Sequence, residues 1–209
     1  SLGYTTYDNP NHSHSYTHMD GKTTFISRGA EIGASRGMIL VNAAGNSGTD
    51  SWKYIGAPAD VASVFSIGAV NAEENIASFS SFGPTADNRI KPDVLAQGQN
   101  TSIINFSSGN VSSSNGTSFS SPVMAGVIAC FWQAFPNKTN IEIMNLIRSS
   151  SDKFNKLFEG MHPTFKHVPP RDPLDSMHAV FNPSWASLIA QTYPPGPPPI
   201  TTAWNFSDI

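Results

Sequence analysis

The chain has 209 residues, enough for one domain with a real core or for a core plus a tail. A formal net charge of −3 with 13% charged residues leaves no basic patch to support nucleic-acid binding. No apolar stretch reaches the roughly 18 residues of a membrane span, so no membrane partner is expected. The single Cys130 lies inside an apolar run, cannot form an internal disulfide, and is expected to be a buried thiol. Neither a signal peptide nor an initiator methionine stands before Ser1, which suggests a piece of a longer chain.

Residues 4–20 are polar and turn-rich, with His12, His14 and His18 at near-alternate positions. No Cys or carboxylate follows them at a usual ligand spacing, so they read as exposed loop histidines and no metal is assigned to them. Residues 22–37 carry a helical pattern, with Phe25, Ile26, Ala30, Ile32 and Gly33 on one rough face. Gly29, Gly33 and Gly37 are spaced by four, which is no dinucleotide fingerprint; they suit close packing of a helix on a sheet, with Gly37 ending the helix. The apolar run Met38 to Ala44, closed by Gly45-Asn46, reads as a strand buried on both faces of a parallel sheet. Function in such sheets gathers at the carboxyl ends of strands, where Asn46 would stand. Val64 to Val70 is a second strand candidate.

Asn115-Gly116-Thr117-Ser118-Phe119-Ser120-Ser121-Pro122 then precedes the apolar run Val123 to Phe135. A Gly-Thr turn delivers Ser118 to the start of a helix, where free N–H groups and the positive dipole end favour a developing negative charge. Pro122 suits a first helical turn. A nucleophilic serine needs this setting, exposed and close to donors for an oxyanion. Beyond Pro136, Thr139 and Glu142 have the spacing of a capping box for a further helix, with Ile143, Leu146 and Ile147 as its buried stripe.

Gly-Thr-Ser-x-x-Ser-Pro followed by Val-Met-Ala-Gly resembles the nucleophile motif of the subtilisin-like serine proteases, the subtilases. It departs in Val123, where that family usually has His, and it does not fit the Gly-x-Ser-x-Gly elbow of α/β-hydrolases. Further segments carry the same resemblance. Ala43-Ala44-Gly45-Asn46 is similar to the signature whose Asn donates to the oxyanion, and Ser1-Leu2-Gly3 to the strand that pairs with an extended substrate. Ile55 to Ala59 resembles the floor of the pocket for the substrate side chain; Gly45, Gly56 and Ala59, with Ala44, would leave it room. Ala77 to Pro84 and Lys91 to Gly98 match scaffold segments, with Gln97 in place of a frequent proline.

The resemblance implies a three-layer α/β fold with a mostly parallel sheet, of which residues 1–154 would be the C-terminal part. It implies a serine endopeptidase forming an acyl-enzyme on Ser118, a protein or peptide substrate, and a secreted or periplasmic setting. Carbonyls of Ala59, Val61 and Val64 match a region that holds a calcium or monovalent ion in some family members; no other cofactor is implied. A subtilase triad runs Asp, His, Ser along the chain. Neither an Asp-Ser/Thr-Gly nor a His-Gly-Thr motif occurs in these residues. A missing N-terminal half would supply them, and the chain by itself is expected to be inactive. The alternative is an inactive remnant or a peptide-binding module that keeps the substrate groove. Residues 155–209 break the pattern, because ten of the chain's sixteen prolines lie between Pro163 and Pro199, which precludes long helices or central strands.

Overall fold

A run apolar on both sides makes a stable strand only where both faces are covered, and the middle strand of this protein meets that condition. The computed structural model describes residues 2–151; Ser1 and the proline-rich region expected over 155–209 lie outside the described residues. Three parallel strands, β1 (Leu40–Ala43), β2 (Val64–Val70) and β3 (Val94–Gln97), stand side by side in that order. Leu40 pairs with Val64 and Ile67 with Val94. All seven residues of β2 are buried.

Alternation along the strands sends their side chains into two clusters. On one side, Phe65, Ile67, Val94 and Ala96 pack with Met124, Ile128 and Phe131 of helix α2 (Thr117–Ala134) and with Ile143, Met144 and Ile147 of helix α3 (Asn140–Ser150). On the other, Val64 and Leu40 meet Ala30 of helix α1 (Phe25–Ser35) and Val61. The sheet is therefore layered between helices, the α/β architecture expected from the sequence. A two-stranded antiparallel hairpin, β4 (Thr101–Ile104) with β5 (Val111–Ser114), follows β3 and leads into α2. Its Ser- and Asn-rich sequence lacks an apolar alternation that would have announced it.

Caps bound the helices. Thr24 accepts from the Ser27 N–H at the start of α1. At its end the Gly37 N–H donates to Ala34 and the Met38 N–H to Gly33, with Gly37 at φ +90°, a Schellman closure. Thr139 and Glu142 form the reciprocal capping box of α3. Four expectations need correction. The buried stripe of α1 is Ser27, Ala30, Gly33 and Ala34, while Phe25 and Ile32 are exposed. Buried Asp60 selects that face by accepting from the Ser27 hydroxyl at 2.7 Å, and of the three spaced glycines only Gly33 lies against the sheet, where a Cβ would stand 3.2 Å from Leu40. Pro122 is the sixth residue of α2 and not in its first turn, so the Ser118 carbonyl loses a helical donor. Cys130 is exposed, because the face of α2 that reaches the sheet runs through Met124, Ile128 and Phe131.

The Lys-Pro-Asp segment before β3 ties the layers together electrostatically. Asp93 accepts from Lys91 Nζ at 2.7 Å, Arg148 Nε of α3 at 2.8 Å, and the Ser66 N–H and hydroxyl of β2 at 2.7 and 3.0 Å. Lys91 Nζ also donates to the Val64 carbonyl at 2.7 Å. Burial pushes the Lys91 ammonium below its ordinary pKa, and the Asp93 carboxylate opposes that shift.

Candidate active site

The carboxyl end of β1, the start of α2 and the N-terminal segment converge on one cleft of about 250 Å³. Ser118 opens into it as the second residue of α2, with its side chain exposed. A helix leaves its first N–H groups without helical partners. Here the Thr117 N–H donates to Asn46 Oδ1 at 2.8 Å and the Phe119 N–H to the Gly116 carbonyl at 3.0 Å. The Ser118 N–H has no acceptor among the described residues.

Asn46 is held by its oxygen. Oδ1 accepts both the Thr117 N–H and the Thr117 hydroxyl, the latter at 2.9 Å. An N–H can only donate, so this pair of bonds decides which end of the amide is oxygen. Nδ2 is then turned away from Thr117 and has no acceptor among the described residues. Thr117 is itself fully buried and receives the Gly45 N–H on its hydroxyl at 3.2 Å, which joins the turn after β1 to the helix start.

The turn Gly45-Asn46-Ser47 is locked from its other side by Ser81. The Ser81 N–H donates to the Gly45 carbonyl at 2.9 Å, and the Ser81 hydroxyl accepts from the Ser47 N–H at 3.0 Å. Gly45 has φ +116°, and a Cβ there would lie 2.8 Å from that hydroxyl. Glycine is required on both counts. Thr117 and Ser81 were the residues whose part sequence reasoning missed. Both stood inside recognised segments, but a hydroxyl's partner 34 or 72 positions away leaves no local signal.

Leu2, Gly3, Ala44, Gly45, Asn46, Gly56 and Ser118 are brought together in the cleft lining, whereas Ser1 lies outside the described residues. Ala59 is buried, 1% exposed, and does not reach the cleft. Thr5, Trp52 and Tyr54 join the wall. Tyr54 is braced by stacking on Tyr16 at 4.2 Å between ring centroids. The Asn42 side chain engages Leu2 at both backbone groups, accepting its N–H at 3.3 Å and donating to its carbonyl at 3.0 Å. Gly3, next along, has its N–H and carbonyl unpaired among the described residues. Among the described residues no histidine lines the cleft.

Of the three carbonyls that the family resemblance suggested for an ion, that of Val61 accepts the Val64 N–H and that of Val64 accepts the Lys91 ammonium.

The sequence model of the subtilase family (peptidase S8) matches residues 3–166. The chain belongs to the subtilase family. It is 35% identical over 149 residues to serine protease AprX of Bacillus subtilis (strain 168), covering 61% of this chain and 33% of that protein. With subtilisin DY of Bacillus licheniformis it shares 32% identity over 137 residues, 65% of this chain and 47% of the relative. The subtilase sequence described here thus spans between a third and a half of the length of these two relatives. A cold-adapted subtilisin-like serine proteinase of known structure superposes with a TM-score of 0.50 at 24% identity, over 59% of this chain and 42% of the other, which shows the shared fold.

Proposed function

We propose that this subtilase chain carries the nucleophile and the oxyanion-binding groups of a serine endopeptidase that cleaves protein or peptide substrates through an acyl-enzyme. The observation that carries the reading is the Asn46–Thr117 clamp. It commits Oδ1 to Thr117 and leaves Asn46 Nδ2, which lies near the Gly116 N-cap, without an acceptor among the described residues, as the Ser118 N–H also is. Two fixed donors beside a nucleophilic oxygen are what a tetrahedral intermediate requires, because its charge develops on one oxygen after attack. In this reading Ser118 Oγ gives its proton to a histidine as it attacks the scissile carbonyl, Asn46 Nδ2 and the Ser118 N–H receive the oxyanion, and the leaving amine departs with that proton from the histidine. The unpaired backbone groups of Gly3 add the substrate as an extended strand. Ala44, Gly45 and Gly56 leave room for one of its side chains in the cleft that Trp52 and Tyr54 also line.

The base and its orienting carboxylate come, in this proposal, from further subtilase sequence, and the 209-residue chain alone hydrolyses at most at the residual level that an oxyanion hole and binding supply. Two observations favour it. Among the described residues no histidine lines the cleft, and the outer face of α2 exposes Pro122, Val123, Gly126, Ala129 and Cys130. A helix apolar all round is normally covered all round. A secreted or periplasmic setting belongs to the same proposal and rests on family and composition alone.

Labelling with a fluorophosphonate probe tests this directly, comparing the chain alone with the chain plus a subtilase N-terminal half. Labelling of Ser118 only after complementation is the expected result. Labelling of the chain alone would overturn the claim that its base lies elsewhere. A folded complex that never labels would favour a peptide-binding module or an inactive remnant.

A further inference from the structure

The loop between the substrate-aligning segment and α1 holds a pair of side chains that the proteolytic reading does not use. His14 and His18 face each other with Nδ1 atoms 3.3 Å apart and rings nearly perpendicular, at 83°. We propose that His14 and His18 chelate a divalent transition-metal ion through their two Nδ1 atoms, with zinc the best fit.

Geometry selects the ion. Zinc–imidazole bonds are about 2.0–2.1 Å, and a tetrahedral angle between two of them separates the nitrogens by about 3.3–3.4 Å. A right angle at the same bond lengths brings them to about 2.9 Å; the 3.3 Å span, a hydrogen-bond contact in the ion-free pair, is thus already the span that tetrahedral coordination needs. Imidazole nitrogen suits zinc, copper and nickel and is a poor ligand for calcium or magnesium, which take oxygen. Two neutral imidazoles facing Nδ1 to Nδ1 hold at most one proton between them. Chelation needs the Nε2–H tautomer on both rings, which neutral imidazole reaches with no net loss of a proton.

The pair is also held in place before any ion arrives. The His14 N–H donates to the Thr5 carbonyl at 2.7 Å, and the Tyr7 ring meets the His14 ring edge-on at 5.7 Å. His18 closes a one-turn 3₁₀ helix, Tyr16–His18, whose Tyr16 hydroxyl is anchored on the Pro84 carbonyl at 2.7 Å. Both imidazoles are half-buried. Among the described residues no third His, Cys, Asp or Glu joins them, which leaves the remaining coordination positions to water or to an incoming ligand. Because Thr5 lines the cleft, an ion at this clasp would fasten the loop one hydrogen bond away from the substrate groove.

The test is calorimetric titration of the full chain with zinc chloride, alongside His14→Gln, His18→Gln and His12→Gln. His12 is exposed on the neighbouring one-turn helix and stands outside the pair. We expect the zinc affinity of one site to fall at least tenfold in either pair variant and to stay unchanged in His12→Gln. Long-range proton–nitrogen NMR of the unsubstituted chain provides a second readout, in which zinc should shift Nδ1 of both His14 and His18. Equal affinity in all variants, an equal loss in His12→Gln, or Nδ1 signals that ignore zinc would each overturn the proposal.

Discussion

Replacing Asp93 by Ala should be among the most damaging single changes to stability. Its carboxylate, 7% exposed, balances Lys91, whose side chain is 3% exposed. Truncation leaves the Lys91 ammonium with the Val64 carbonyl as its remaining acceptor and strips the Ser66 N–H of its carboxylate partner. Removing one member of a buried pair costs about 3–5 kcal/mol, chiefly because the other charge stays behind without compensation. The loss should also depend on pH in a defined direction. Burial lowers the Lys91 pKa, and the charge and hydrogen bond of Asp93 are what oppose it. Without Asp93 the folded pKa drops further, so between that value and the ordinary 10.5 the folded state binds fewer protons than the unfolded one. Stability then rises with pH across this window, and the deficit of the variant narrows. Urea unfolding followed by circular dichroism, at about pH 7 and about pH 9.5, measures both effects. The double variant Lys91→Met/Asp93→Ala should recover about 1–3 kcal/mol relative to the sum of the singles. A loss below about 1 kcal/mol at neutral pH, or a deficit equal at both pH values, would refute the reasoning.

Asn46→Ala in the complemented protease should lower kcat by about 10²–10³, the size known for the corresponding donor of subtilisin. Thr117→Val, which frees Asn46 from one hydroxyl, should cost about fivefold in kcat, and Thr117→Ser should restore it, since one hydrogen bond is worth about 1 kcal/mol; equal rates for Val and Ser would contradict the clamp. Gly45→Ala should destabilise by about 1–3 kcal/mol through its positive φ and the contact with Ser81, read as a lower urea midpoint. Burial pushes the Asp60 carboxyl above its ordinary 3.8. The folded state therefore holds that proton more tightly, and this contribution is lost as pH rises through the raised value. Asp60→Asn should lack that loss, so urea midpoints of the two proteins measured upward from about pH 4 should diverge in favour of Asn; parallel curves would refute the assignment.

Local sequence was sufficient for the elements whose cause is local. The apolar run to Ala44, the strand Val64–Val70, the Thr139–Glu142 capping box and the Gly37 closure each follow from residues within a few positions of one another. Ser118 at a helix start was legible for the same reason: a small flexible turn abuts a helix-length apolar run. What the sequence concealed lies across the fold. The α1 face was chosen by Asp60, 33 positions from Ser27, because a buried carboxylate must find donors, whichever side hydropathy favours. The exposure of Cys130 followed from which side of an all-apolar helix reached the sheet. The orientation of the Asn46 amide was decided by Thr117 from 71 positions away. His14 and His18 became a pair only when two short 3₁₀ turns and a hydrogen bond to Thr5 folded their loop back on itself. Periodicity and capping act between near neighbours and are written in the chain; hydrogen-bond partners for buried or site-facing groups are selected by the packed structure that brings distant segments together.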